Sequence, residues 1–298
     1  MGTDLREQFL SPRRLFELAD TIAGQPISQL CAEGPLERLT QTEIAQPAVV
    51  VTSLAALAVL QEQLDVKPAA VAGHSVGEFA AYVAAEVLTP EAALRLVQVR
   101  AQAMAEACSA VDGTMAAVIG LAEGTVRAFC AEASQSDGAV EVANLNSPGQ
   151  VVVSGARAAI DRVRQIAKDR GGRVLPLNIG GPFHSVYMRP AAETLAQALE
   201  ETRFRAATVP VVLNSTAQAS QEPAELRREL EVQVYSPVRW IETVQRLAEL
   251  GCDQFLEVGP GTVLSGLVRR ILPQAKIASF GSLAQLPEVR SLLQIAVA

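Results

Sequence analysis

Apolar positions recur along this chain in two rhythms, and the points where one gives way to the other mark its elements. From Val76 the apolar residues fall at 76, 79, 80, 83, 84, 87 and 88, a continuous helical stripe. Immediately before it, residues 68–72 form a short apolar run that Gly73 ends, which predicts a strand feeding a helix. Upstream, residues 47–60 (PAVVVTSLAALAVL) make a run of 14 that is shorter than the roughly 20 residues a membrane-spanning helix needs. A buried core helix is predicted there, with Pro47 as its first residue and no membrane span. Further on, residues 114–119 read as a strand, 124–134 as a helix and 143–155 as a hairpin turning at Pro148-Gly149. A helix over 158–168 and a strand over 174–177 complete a β-α-β-β-α-β order, the ferredoxin-like pattern. Another helix is expected to start near Pro190. Residues 255–271 read as a strand end, a Gly-Pro-Gly turn and a helix.

Composition narrows the class. At 298 residues the chain has room for one large domain or for a large domain carrying an insert. Hydrophobic residues make up 49% and aromatics only 4%, so Ala, Val, Leu and Ile must build the core of a globular α/β protein. A net charge of -7 argues against non-specific nucleic-acid binding, which needs a basic face. The four cysteines, Cys31, Cys108, Cys130 and Cys252, show no CxxC spacing, so neither a zinc site nor a disulfide framework is expected. That usage suits a reducing cytoplasm. The first residues, MGTDLREQFL, carry acids and no apolar core, unlike a secretory signal.

The strand-to-helix junction at 72–77 holds Gly73-His74-Ser75-Val76-Gly77, a G-x-S-x-G sequence. On such a sharp turn a serine needs small neighbours on both sides, and the turn lifts its hydroxyl out of the sheet toward the amides of the helix start. The plainer reading is a glycine-rich turn with a capping serine. A serine becomes a nucleophile at neutral pH only with a base, usually histidine, and the chain has two. His74 adjoins Ser75, and on so tight a turn its ring should point away from the hydroxyl. His184, in the loop-like NIGGPFHSVYMRP, is then the one available imidazole, although a lone loop histidine is as a rule inert. Arg100 lies on a helical stretch beside Arg95 and, from pattern alone, reads as a solvated surface residue.

Six ordered blocks resemble one known family. GHSVGE (73–78), RLVQVRAQAM (95–104), ANLNSPGQVVVSG (143–155), GPFHSVYM (181–188), QVYSPVRW (233–240) and FLEVGPGTVLSGLVRRI (255–271) are similar to malonyl-CoA:acyl carrier protein transacylases. These include fatty-acid synthesis enzymes and free-standing acyltransferases of polyketide assembly lines. The resemblance runs from about 36 to about 271. It implies an α/β-hydrolase-like large domain with a parallel sheet over 1–112 and 179–298, and an inserted ferredoxin-like small domain over 113–178. It implies that Ser75 takes the malonyl group as an ester and passes it to the phosphopantetheine thiol of an acyl carrier protein. His184 would be the base, oriented by the main-chain carbonyl of Gln233, and the Val76 N–H an oxyanion donor. Arg100 would pair with the malonate carboxylate, and Phe183 would leave no room for an α-methyl branch.

On this reading the substrate is a coenzyme A thioester, no cofactor or metal is needed, and the protein is a cytoplasmic monomer with no nucleic-acid or membrane partner. Arg239, Arg269 and Arg270 are the basic candidates for docking an acidic carrier protein. One departure stands out. The family opens with a strand and a glycine-rich loop, Phe-Pro-Gly-Gln-Gly-Ser-Gln, that supplies a second oxyanion amide. Here the first residues resemble the segment just after that loop, so a truncated start is the expectation. Two other functions compete: an acyl hydrolase on the same Ser75 and His184, and an inactive carrier-protein docking module.

Overall fold

The apolar run at 47–60 is the inner part of a longer helix, Thr42–Leu64, in the computed structural model, which describes residues 1–294. Pro47 therefore lies inside the helix and not at its start. The additional turn holds because Ile44 and Gln46 are both buried, Ile44 in the core and Gln46 in a polar cluster at the candidate site. Among the described residues this is the one helix long and apolar enough to cross a membrane, but most of it is buried against the helices Leu10–Ala23 and Pro90–Ser109. Burying one leucine such as Leu54 contributes about 1.5–3 kcal/mol. Its all-round apolar surface is what a central core helix requires.

In chain order the strands among the described residues are β1 (Val71–Ala72), β2 (Gly113–Ile119), β3 (Val140–Ser147), β4 (Gln150–Ala156), β5 (Arg173–Pro176), β6 (Val211–Val212), β7 (Ala219–Ser220), β8 (Gln254–Val258) and β9 (Lys276–Phe280). The expected parallel pairing is present and lies in two pieces. β1 pairs in parallel with β6, to which β7 adds an antiparallel edge, and β8 pairs in parallel with β9. β1 is only two residues long, because hydrogen bonding to β6 begins at Val71 and the chain turns at Gly73. Each of β1 and β8 thus has one edge without a strand partner among the described residues.

Residues 113–176 form an antiparallel sheet in the order β3-β4-β2-β5, with the helices Glu123–Ala133 and Arg157–Asp169 between strands. The ladders place β2 between β4 and β5, the strand order of a ferredoxin-like unit. Its core is a cluster of its own around Val118, Phe129, Val153 and Val163. A two-bond backbone seam helps tie it to the rest: Leu145 N–H donates to the Val238 carbonyl at 2.9 Å and Val238 N–H to the Ala143 carbonyl at 2.8 Å. Phe183 packs against both the large core and the inner face of the small sheet.

The helix after the Ser75 turn runs only over Gly77–Ala84, shorter than the apolar stripe to 88 suggested. Glu86 takes a left-handed φ of 61°, which ends the helix. Val87 and Leu88 stay buried as turn residues, so the stripe continues without the helix. Thr89 then caps the next helix, Pro90–Ser109, accepting from the Ala92 N–H at 3.2 Å. The Gly-Pro-Gly turn behaves as expected: Glu257 at the end of β8 accepts from the Leu264 and Ser265 amides, anchoring the helix Val263–Ile271.

Candidate active site

The turn from β1 into the helix Gly77–Ala84 forces Ser75 into the left-handed region, φ 51°. Such a conformation costs a non-glycine residue of order 1–3 kcal/mol and persists only when its surroundings over-determine it. Three hydrogen bonds do so here. Asn214, just past β6, accepts the Ser75 N–H on its Oδ1 at 2.7 Å and donates its Nδ2 to the Gly73 carbonyl at 2.6 Å. Gln233 Nε2 donates to the Ser75 carbonyl at 2.8 Å. Gly73 is sterically obligatory, since a Cβ there would meet the Gly77 carbonyl carbon at 2.1 Å. The expected need for a small residue at Gly77 is not met: a Cβ there has nothing within 4 Å.

Ser75 Oγ lies 2.8 Å from His184 Nε2. His184 also sits at a left-handed φ, 56°, on a loop pinned by Ser185 Oγ donating to the Pro182 carbonyl. Its Nδ1 faces two carbonyl oxygens, of Gln233 at 2.9 Å and Ser236 at 3.1 Å. Carbonyls only accept, so Nδ1 carries the proton and Nε2 presents its lone pair to the serine hydroxyl. No carboxylate is required to set that tautomer. Burial, and then the Arg100 charge, push the His184 pKa down to about 3, so the ring is a neutral proton acceptor. His74 points the other way: its Nε2 lies 2.9 Å from Asn146 Oδ1 on β3, and its ring meets Trp240 edge-on.

Arg100 is where pattern reading alone fails. It is 1% exposed, and its guanidinium reaches Ser75 Oγ at 3.1 Å and Gln233 Oε1 at 3.0 Å through Nη2, with Nη1 on Gln46 Oε1. Nε has no partner, and no carboxylate pairs with this guanidinium among the described residues. Burial lowers its pKa to about 10, leaving it a cation near neutrality. The Val76 amide, at the helix start beside Ser75, is in no hydrogen bond among the described residues. Val76 and Phe183 are both partly buried at the same locus.

Four members of this cluster escape a reading of the sequence: Gln46, Glu78, Asn214 and Ser236. Asn214 had a signal, as the first polar residue after the apolar run Val211-Val212-Leu213, at the carboxyl end of a parallel strand where α/β sites form. Gln46 interrupts an apolar helix, and Glu78 does the same one residue after the elbow glycine. No group of three or more potential metal ligands occurs among the described residues.

Gly73→Ala should destabilise the fold by about 3 kcal/mol through overpacking, while Gly77→Ala should be neutral or gain up to about 1 kcal/mol. Urea unfolding of both variants checks this, and equal losses would contradict it. For pH, the folded pKa of His184 lies below its ordinary 6.5, so the folded state binds fewer protons at this ring than the unfolded chain does. Its contribution to stability is complete above pH 6.5 and is lost as pH falls toward about 3. His184→Gln should therefore lose less stability than wild type between pH 7 and pH 4 in urea unfolding. An equal loss would contradict the buried neutral ring.

Comparison with known proteins agrees with this geometry. Residues 11–288 match the family described as acyl transferase domain. The chain is 40% identical over 272 residues to a malonyl CoA-acyl carrier protein transacylase of Bacillus subtilis, covering 91% of this chain and 86% of that one. It is 38% identical to the enzyme of the same name from Haemophilus influenzae, covering 98% and 94%. Among solved structures, an acyl carrier protein S-malonyltransferase from Vibrio cholerae superposes with a TM-score of 0.92 at 38% identity, over 97% of this chain and 94% of that one. A malonyl-transacylase solved in complex with a type II PKS acyl-carrier protein gives 0.93 at 38% identity, over 99% and 94%. A serine on a strained turn, its neutral histidine and a buried arginine thus sit on the fold of enzymes that move malonyl groups, and the chain belongs to the acyl transferase domain family.

Proposed function

We propose that the protein transfers a malonyl group from malonyl-CoA to the phosphopantetheine thiol of an acyl carrier protein through an ester on Ser75. Ser75 Oγ attacks the thioester carbonyl and gives its proton to His184 Nε2. The carbonyl oxygen becomes an oxyanion, to which the Val76 N–H donates. Collapse breaks the C–S bond, and the departing coenzyme A thiolate takes the proton from His184. In the second half the carrier thiol gives its proton to His184, its sulfur attacks the ester, and Ser75 leaves as the hydroxyl with that proton. Every proton in this scheme passes between His184 and Ser75 or one of the two thiols, so the scheme calls for no resident cofactor.

The observation that carries this reading is the Arg100 guanidinium, buried and 3.1 Å from the attacking oxygen. A planar cation there suits an acyl group bearing its own carboxylate. A hydrolase clearing uncharged acyl chains would gain nothing from a buried cation beside an apolar tail. A docking module would have no need of a serine held against a neutral imidazole. The Phe183 ring beside His184 would disfavour an α-methyl branch by about 1–3 kcal/mol.

Intact-protein mass spectrometry after mixing with malonyl-, acetyl- and methylmalonyl-CoA tests the proposal. Malonyl-CoA should give an adduct that Ser75→Ala abolishes and Arg100→Ala slows by about 10–100-fold, the loss of one charge-assisted hydrogen-bonding pair. Methylmalonyl-CoA should label more slowly, by about 10–200-fold. Equal labelling of wild type and Ser75→Ala, or no adduct with malonyl-CoA, would overturn the proposal.

For the carrier protein, the exposed Arg269 and Arg270 in the last turn of the helix Val263–Ile271 are the better docking candidates, since Arg239 is paired with Glu242. The four free cysteines fit work in the cytoplasm. Charge reversal at both arginines should raise the KM for the carrier and spare self-acylation. Equal loss of both activities would contradict docking there.

A further inference from the structure

Arg100 carries a buried charge, yet the nearest buried carboxylate does not touch it. Glu78 is fully buried, and its two oxygens accept from the Asn214 N–H and from Gln233 Nε2, each at 2.8 Å. The Gln233 amide lies between the two side chains: its Oε1 accepts from Arg100 at 3.0 Å while its Nε2 donates to Glu78 and to the Ser75 carbonyl. A guanidinium only donates and a carboxylate accepts, so this amide has one workable orientation.

We propose that Glu78 is a positioning residue that sets the preference for carboxylate-bearing acyl groups, by holding the Gln233 amide with its oxygen toward Arg100. The amide acts as a neutral spacer. A direct Glu78–Arg100 pair would occupy the fork of the guanidinium, whereas an amide steers it and leaves it available to an incoming carboxylate. The rest of the surroundings supports an acceptor at this position. The helix Gly77–Ala84 brings Glu78, the end of β6 brings Asn214, and the segment after the helix Pro223–Val232 brings Gln233. The second buried carboxylate, Glu229, is already engaged by the Ser215 amide and hydroxyl. Burial and the Glu229 charge raise the Glu78 pKa, and the bonds from Gln233 and Asn214 oppose that rise.

Glu78→Gln separates this role from simple packing. The new side chain keeps shape but offers one oxygen in place of two. The Asn214 N–H is main chain and cannot turn away, so that oxygen goes to it, and the new NH₂ faces the NH₂ of Gln233. The Gln233 amide must then flip or withdraw, and Arg100 loses the Gln233 acceptor in either case, keeping Gln46 and Ser75. This inference rests on the malonyl-transfer reading. The experiment measures single-turnover acylation of Ser75 by malonyl-CoA and acetyl-CoA in wild type, Glu78→Gln, Arg100→Ala and the double variant.

The malonyl-to-acetyl rate ratio should fall at least tenfold in Glu78→Gln. In the Arg100→Ala background the same change should leave the ratio where it is. Equal loss of both rates with the ratio intact, or full additivity in the double variant, would overturn the proposal. Should Glu78→Gln fail to fold, Gln233→Met reads the same link from its other end, keeping the main-chain carbonyl for His184. Its ratio must also fall at least tenfold, and an unchanged ratio sinks the proposal. A wild-type protein without any malonyl adduct would instead defeat the functional reading itself.

Discussion

The site depends on placing a cation and its polar neighbours inside an alanine-, valine- and leucine-rich core with every side-chain polar atom of the cluster but Arg100 Nε partnered. An uncompensated buried charge costs several kcal/mol, and each unpaired buried polar group about 1–3 kcal/mol. Arg100, Glu78, Asn214, Gln233 and Gln46 meet that demand by satisfying one another. The solution also dictates where the reacting atoms lie. Asn214 and Gln233 grip the backbone on both sides of Ser75, and the Gln233 carbonyl orients the histidine that faces its hydroxyl. Breaking this mutual satisfaction would release the strain stored at Ser75.

The fold delivers these groups from distant parts of the chain. The helix Thr42–Leu64 supplies Gln46, and the helix Pro90–Ser109 supplies Arg100. The carboxyl ends of β1 and β6 bring Ser75 and Asn214 side by side, as expected where parallel strands end together. His184 comes from the loop that follows β5, so the position of the antiparallel unit bears directly on the distance between His184 and Ser75. The bond from His74 to Asn146 and the backbone seam at Val238 hold the two parts in register. His74 is thereby a strut between the two parts, although it adjoins Ser75.

Local signals made much of this legible in the sequence. The strand–Gly-His-Ser-Val-Gly–helix junction is set by the steric demands of a turn, and Gly73 shows that demand directly. The ferredoxin-like order of the small domain is readable from alternating short strands and amphipathic helices, where periodicity is at its clearest. What periodicity could not show was the direction in which a polar residue on a core helix points. Arg100 shares a helix face with apolar residues, and only partners 25, 54 and 133 positions away make its burial tolerable. Glu78 and Asn214 each break or end an apolar run, but the run does not tell what they bond to, since their partners are remote in sequence. The β1 strand is shorter than its apolar run because such runs continue past the point where ladder pairing stops. Pro47 lies inside its helix because burial of Ile44 and Gln46 extends that helix beyond its apolar stretch.

The most direct test is a crystal structure of the protein trapped after exposure to malonyl-CoA. Malonyl density should be continuous with Ser75 Oγ, with its free carboxylate on both arms of the Arg100 guanidinium and Gln233 still bonded to Glu78. An acyl group on another residue, or a malonyl carboxylate turned to solvent with Arg100 still closed on Ser75 and Gln46, would contradict the role given to the buried arginine.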